Sequence, residues 1–296
     1  MNVQPNPSRP GVAIVMRSFN DAGVIAATLE AVRRQTYQDF ELWNFDSSST
    51  DGTLDIIRQH NVPRRIRLND SRSYNPGRVL NEAVAATTAD KLVFLNSDAT
   101  PTDSHWLERL IEPLDDPAVG AVFGRQVSRP DCRPLFVQDT ERAFGDGALS
   151  SRWPHFFSMA NSAARRGVLE THPFETRIQY SEDIDWSYRL RYSGLQVRYV
   201  AAAAAVHSHN YTLRQSLKRH FGEGMADAWI FRAGEIRPGF LRYCLGPFGM
   251  GVLRDACWAL RHRSLDALLH SVPLRGVQRW GRWRGFRAGQ RKYRHA

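Results

Sequence analysis

Apolar runs and helix-spaced apolar positions alternate along the first two thirds of the chain. Val12-Ala-Ile-Val-Met16 is a short continuous apolar run, the pattern of a strand buried on both faces. Ile25, Leu29 and Val32 then recur at helical spacing, after Asn20 or Asp21, either of which can cap a helix. Glu41 to Phe45 reads as a second strand, Asp51-Gly52 as a turn, and Leu54 and Ile57 as one face of a short helix. Ile66 to Leu68 is a weak third strand. The turn at Asn75-Pro-Gly77 leads into a helix carrying Leu80 and Val84. Leu92 to Leu95 is the clearest strand, Trp106, Leu107, Leu110 and Ile111 mark the helix after it, and Val119 to Phe123 is a fifth strand. Residues 131–153 lack periodicity and are rich in Pro, Gly and charge, so a long functional loop is expected there. Phe156 to Ala163 reads as a strand leading into a helix near Arg165. Ser181 is placed to cap a helix through Trp186, Tyr188 and Leu190, and Val197 to Val206 is a further strand. Past His207-Ser-His209 the texture changes to helical segments heavy with Arg, Gly and aromatic residues. The expected units are therefore 1–210 and 211–296.

The alternation predicts an α/β domain around a mostly parallel sheet flanked by helices. Ligands in such folds bind at the carboxyl ends of the strands. The segments to inspect are Arg17 to Asn20, Asp46 to Asp51, and Asn96-Ser97-Asp98, all of them polar.

Each candidate has a functional and a plain structural reading. Asp46, at a strand end, can accept hydrogen bonds from a base or ribose, or simply cap the next helix. Asp98 can bind a divalent cation through oxygen, while Asn96 suits a sugar hydroxyl better; a solvated turn is the alternative. Glu182, Asp183 and Asp185 crowd a helix start, where acids complement the dipole or supply a general base. His207 and His209 are candidate metal ligands, base partners or surface residues. No G-x-x-x-x-G-K-[ST], no G-x-G-x-x-G after the first strand and no G-x-S-x-G occur.

Charge changes the picture at the C-terminus. Of the 40 Lys and Arg residues, 17 lie between Val206 and Ala296, where only 5 of the 30 Asp and Glu residues fall. That asymmetry predicts an anionic partner for the last third: a membrane surface, a phosphorylated lipid or a nucleic acid. From Arg275 on there are eight Lys and Arg and no acid, with Trp280, Trp283 and Phe286 interleaved. Such a tail is expected to grip an anionic membrane surface and to be removable without unfolding the rest. The other reading packs it on the catalytic domain. Gly276, Gly281, Gly285 and Gly289 are expected to weaken a helix there. The three cysteines, Cys132, Cys244 and Cys257, neither staple a chain of 296 residues nor show zinc spacing, which favours a reducing compartment. The first ten residues carry no apolar segment of a secretory signal. The uncharged stretch Tyr243 to Leu253 is too short to span a bilayer, which takes roughly 20 residues.

Taken in order, VAIVMRSFND, LEAVRRQTYQDFELWNFDSSSTDGT, NPGRVLNEAVAATTADKLVFLNSDATP, SEDIDWSYRLRYSGLQVRYV and HSHNYT resemble the family 2 glycosyltransferases, from about residue 11 to 215. NSDATP and HSHNYT look most like bacterial rhamnosyltransferases of O-antigen assembly. The resemblance implies the GT-A fold, to which the charge and texture of the last third add a basic helical C-terminal extension, and an inverting transfer from a nucleotide-diphosphate sugar to a hydroxyl of a glycan or lipid-linked acceptor. dTDP-rhamnose is the donor suggested by resemblance alone. It implies Asp183 as catalytic base with Glu182 beside it, and Asp98 and His207 as ligands of Mg²⁺ or Mn²⁺. Nucleotide-sugar contacts are expected from Ser18, Asn20, Asp46, Arg78, Asn96 and Ser97. Asn96 replaces the first acid of the family's DxD, and Ser47 stands where many members carry a second Asp. The expected location is the cytoplasm, peripheral on the inner membrane, without a nucleic-acid partner. The alternatives are a sugar-nucleotide nucleotidyltransferase, disfavoured because Arg17 to Asn20 lacks the glycines of a phosphate loop, and a non-enzymatic membrane- or nucleic-acid-binding protein.

Overall fold

The computed structural model describes residues 10–60, 64–68, 74–153, 155–231 and 239–294. The leader segment considered above lies outside the described residues as far as residue 9. The strands are β1 (Val12–Ser18), β2 (Phe40–Asp46), β3 (Arg64–Leu68), β4 (Lys91–Asn96), β5 (Thr100–Pro101), β6 (Val119–Val127), β7 (Asn161–Arg165) and β8 (Gln196–Val206). The helices are α1 (Ile25–Arg33), α2 (Thr53–Gln59), α3 (Pro76–Ala86), α4 (Trp106–Ile111), α5 (Pro134–Phe144), α6 (Ala148–Arg152), α7 (Arg166–Thr171), α8 (Glu182–Leu190), α9 (Leu213–Ile230), α10 (Gly246–His262) and α11 (Leu265–Lys292).

Among the described residues the strands form one sheet, ordered β3-β2-β1-β4-β7-β6-β8-β5. Pairing is parallel for β1 with β2 and β4, β2 with β3, and β6 with β8; β7 runs antiparallel between β4 and β6. Strand β1 shows why its sequence is apolar throughout. Val12, Ile14 and Met16 enter one layer with Leu29 of α1 and Trp106 and Leu110 of α4. Ala13 and Val15 enter the other with Leu80 of α3, Leu169 of α7 and Trp186 of α8. The register aligns Ser18 with Asp46 and Arg17 with Asn96, so the polar ends of β1, β2 and β4 meet at one edge of the sheet.

Three local expectations are corrected. Helix α1 starts at Ile25 with Val24 as its cap. Asn20 and Asp21 are drawn into hydrogen bonds with neighbouring turns instead. The strand sought at Phe156 to Ala163 is Asn161–Arg165, and α7 follows at once. Residues 131–153 are not a loop, because α5 and α6 occupy most of the segment. The inner face of α5 carries polar groups alongside Leu135 and Phe144, which hides its periodicity. Gln138 is buried and donates to the Arg254 carbonyl oxygen (3.4 Å), and Asp139 meets Arg275.

The segment from Arg275 onward is packed rather than free. Arg275, 3% exposed, donates from Nε to Asp255 Oδ2 (2.7 Å) and from Nη1 and Nη2 to the two oxygens of Asp139 (2.6 and 2.9 Å), tying α11 to α10 and α5. Arg282 forks onto Asp227 of α9 through Nε (2.6 Å) and Nη2 (2.9 Å). Gly281, Gly285 and Gly289 lie against Leu217, Phe221 and Met225, which makes α9 and α11 parallel neighbours with backbones in close approach. A Cβ at Gly285 would overlap the Phe221 carbonyl oxygen. These glycines are the contact surface of the helix rather than its weak points, since close approach offsets the propensity cost of about 1 kcal/mol per Gly.

Candidate active site

A cleft of about 860 Å³ opens at the polar edge of the sheet. Ser18, Asn96, Ser97, Asp98, Glu182, Asp183 and His207 all line it, although they come from four separate parts of the chain. Asn20, Asp46 and Arg78 do not. Asp46 is fully buried and accepts hydrogen bonds from Ser18 Oγ (2.6 Å), Ser49 N (2.7 Å) and Ser49 Oγ (2.7 Å), so it braces the turn after β2. Asn20, at φ 55°, accepts from Thr50 N (2.9 Å) and joins the turns after β1 and β2. Arg78 is exposed on α3.

On one side of the cleft stand three potential metal ligands. One ligand atom each from Asp98, His207 and His209 lies within 4.8 Å of the others. Asp98 follows β4, and both histidines follow β8. His207 Nε2 is 3.5 Å from Asp98 Oδ1, and His209 Nε2 is 3.7 Å from Asp98 Oδ2. The tautomer of His207 follows from its neighbour. Its Nδ1–H donates to Gln126 Oε1 (2.8 Å), whose amide is oriented by its own bond to Ser158 Oγ (2.8 Å). Nε2 is buried, has no hydrogen-bond partner among the described residues and faces the Asp98 carboxylate. Two imidazole nitrogens and one carboxylate oxygen suit a divalent cation such as Mn²⁺ or Mg²⁺.

Burial opposes ionisation of Asp98, but the nearby His207, His209 and Arg129 prevail and bring its pKa down to about 2. Burial, with the adjacent His207, lowers His209 to about 4, so it presents a neutral ring at pH 7. His209 in turn stacks on Tyr211 (5.0 Å between centroids), and Arg219 Nη1 of α9 donates to the Tyr211 hydroxyl (2.8 Å).

Across the cleft, α8 begins at Glu182 and Asp183. Asp183 accepts from Ile184 N (2.8 Å) and Met159 N (3.4 Å). Burial first, then the charge of Glu182, push its carboxyl up to about 7 against the pull of those amides and of Arg17. Glu182 is held away by Arg17, whose Nη1 donates to Glu182 Oε1 (3.1 Å) and whose Nη2 donates to Asn96 Oδ1 (3.2 Å). Arg17 thus ties the end of β1 to α8 and to the segment after β4. The two adjacent acids differ in kind: Glu182 is buried and ion-paired, whereas Asp183 is partly exposed at the cleft with its carboxyl raised to about 7.

Several lining residues lay outside the sequence reading. Gln126 sits one residue before the end of β6, and nothing in its sequence context marks it as a histidine's partner. Arg219, Glu223 and Asp227 of α9 and Gln278 and Arg282 of α11 wall the cleft from the C-terminal side. Their signal was the charge of the last third, which sequence alone spread evenly over tail and partner.

A family model described as glycosyl transferase family 2 matches residues 13–176. The chain is 32% identical over 239 residues to the O-antigen chain rhamnosyltransferase WbaN of Salmonella anatum, covering 75% of each chain. It is 29% identical over 235 residues to the O-antigen chain rhamnosyltransferase RfbN of Salmonella typhimurium, covering 75% of this chain and 74% of that one. Among solved structures, a mannosyltransferase of Pyrobaculum calidifontis in complex with GDP-Man and Mn²⁺ superposes with a TM-score of 0.67 at 20% identity, over 100% of this chain and 91% of that one. That likeness establishes the fold. The family match and the two rhamnosyltransferase relatives place this chain in glycosyl transferase family 2 as a glycosyltransferase.

Proposed function

We propose that the enzyme transfers a sugar with inversion from a nucleotide-diphosphate donor to a hydroxyl of a lipid-linked or glycan acceptor, with rhamnose as the sugar. The observation that carries this reading is the placement of Asp183, a partly exposed carboxyl with its pKa raised to about 7, and the Asp98, His207 and His209 cluster around one cleft. Asp183 takes the acceptor hydroxyl proton as that oxygen bonds to the anomeric carbon. The bond from that carbon to the diphosphate oxygen breaks on the opposite face, and the nucleoside diphosphate departs. One displacement inverts the centre and needs no covalent sugar-enzyme species. Asp98, His207 and His209 would hold Mg²⁺ or Mn²⁺, which when bound neutralises the departing diphosphate. Arg17 holds Glu182 in an ion pair and turned aside, leaving Asp183 to face the acceptor. Ser18, Asn96 and Ser97 line the donor side and offer hydrogen bonds to ribose or sugar.

The rhamnose assignment is supported by the names of the two Salmonella relatives and by the NSDATP and HSHNYT segments. A lipid-linked acceptor places the enzyme on the cytoplasmic face of a membrane. No described helix is long and apolar enough to cross one, so attachment would be peripheral. Sugar nucleotides are screened for thermal stabilisation with and without Mn²⁺, and the preferred donor is then used to determine the anomeric configuration of the product by NMR. Metal-dependent stabilisation by dTDP-rhamnose and an inverted product are expected. A retained configuration refutes the single displacement, and stronger stabilisation by another sugar nucleotide refutes the rhamnose assignment.

A further inference from the structure

Helices α10 and α11 form an antiparallel hairpin, because Asp255 meets Ser271 and Arg275 while Ala259 clusters with Ala267. The inner face of α10 is Gly251, Asp255 and Ala259. Its opposite face is apolar and bare: Met250, Leu253 and Leu260 are 67%, 67% and 70% exposed, at spacings of three and seven that keep them on one stripe. The turn just before α10 adds Leu241 and Leu245. On α11, Leu265, Leu269, Val272 and Trp280 form a second exposed stripe, on the side opposite the buried Ala267, Ser271, Leu274 and Gln278. Exposed apolar residues scattered singly are ordinary, but two continuous stripes on neighbouring helices are not.

The charge around these stripes identifies what covers them. Residues 239–294 hold twelve Lys and Arg and two acids. Of those acids, Asp255 is fully buried, and Asp266 is paired with His270 and Arg133. Arg242, Arg261, Arg263, Arg284 and Arg287 are exposed. A second copy docking through this face by two-fold symmetry would bring like charges together. A bilayer with anionic headgroups meets both features at once, taking leucines at the acyl boundary and arginines at the phosphates.

We infer that the exposed apolar stripes of α10 and α11, with the arginines beside them, are a membrane-docking surface for anionic phospholipid. The seat of binding moves from the Arg275 to Ala296 tail to the leucine stripes that precede and open α11. Phe286 is buried, and Gly281, Gly285 and Gly289 are covered by α9. The inner side of the same helix, through Gln278 and Arg282, lines the cleft, so docking would hold the cleft one helix away from the headgroups. The inference rests on a membrane-borne acceptor only for its purpose; the surface is tested without any substrate.

The full chain is sedimented with phosphatidylcholine vesicles with and without phosphatidylglycerol. Three proteins are compared: the parent, Leu253→Ser/Leu260→Ser/Leu269→Ser, and Arg261→Glu/Arg287→Glu. All five side chains are exposed, and unchanged melting temperatures confirm that each variant is folded. The parent is expected to bind phosphatidylglycerol vesicles, with a partition coefficient reduced about tenfold or more in each variant and reduced by added salt. Equal sedimentation of parent and folded leucine variant overturns the inference. So does a parent that is dimeric in sedimentation velocity without lipid and becomes monomeric on leucine substitution, which assigns the face to a second copy. Failure of sugar transfer with normal vesicle binding would count against the catalytic proposal alone.

Discussion

The two neighbours of Asp183 have opposite charges, and that fixes the direction in which each substitution should move the pH–rate profile. As a general base, Asp183 works only when deprotonated, so kcat/KM should fall as pH drops through about 7. Neutralising Glu182 as Glu182→Gln removes a like charge and releases Arg17 from its ion pair, and both changes favour the Asp183 carboxylate. The acid limb should move to lower pH by roughly one to two pH units, each worth about 1.4 kcal/mol. Arg17→Met removes the opposing cation and should move the limb upward. Asp183→Asn should abolish the limb and reduce transfer by about 10²–10⁴-fold, while donor binding survives. The assay is initial transfer rate against pH at donor and acceptor concentrations well below KM, with far-UV circular dichroism confirming the fold at each pH. Movement of both limbs in the same direction would refute the reasoning, because no single electrostatic account gives that result. A limb unmoved in Glu182→Gln would assign it to another group, with Asp185 the next carboxylate to test.

Further outcomes are expected at the metal cluster and in the C-terminal helices. Asp98→Ala and His209→Ala should each weaken Mn²⁺-dependent binding of a nucleoside diphosphate by calorimetry and leave nucleoside binding unchanged; equal losses for both ligands would refute the ligand assignment. Gln126→Leu should lower metal affinity about 10- to 100-fold by freeing the His207 ring, with the fold intact. Gly285→Val should cost about 3 kcal/mol or more in urea unfolding, because the new side chain meets the backbone of Phe221. Arg282→Met should cost about 3 kcal/mol by leaving Asp227 buried with, among the described residues, only the Tyr243 hydroxyl as side-chain partner. Truncation before Arg275 should therefore give an unstable protein, which a thermal melt would detect.

The sheet was legible because β1 and β4 must be apolar on both faces, and their polar ends then announce themselves. Asp98, Asp183 and His207 were singled out because each follows a buried strand or opens a helix, positions where a polar residue has no core to join. Helix α5 escaped because the residues it buries include Gln138, beside Asp139, whose Arg275 partner lies 136 positions away. Gln126 escaped for the same reason: it acts on His207 through a contact, 81 positions apart, that only the folded sheet creates. The C-terminal glycines were read by helix propensity, a local quantity, whereas their role is set by how closely α9 approaches.

The parallel contact between α9 and α11 also has a consequence in time. A ribosome delivers Arg219 and Asp227 well before Gln278 and Arg282, and the intervening chain must turn back through α10 before the two helices can meet. Until α11 has emerged, one wall of the cleft is missing and Asp227 lacks its arginine. A nascent chain that stops short of α11 would thus carry Asp98 and Asp183 without a closed cleft in which to use them. Close packing of three glycines of α11 on α9 makes the arrival of that helix a condition for assembling the site.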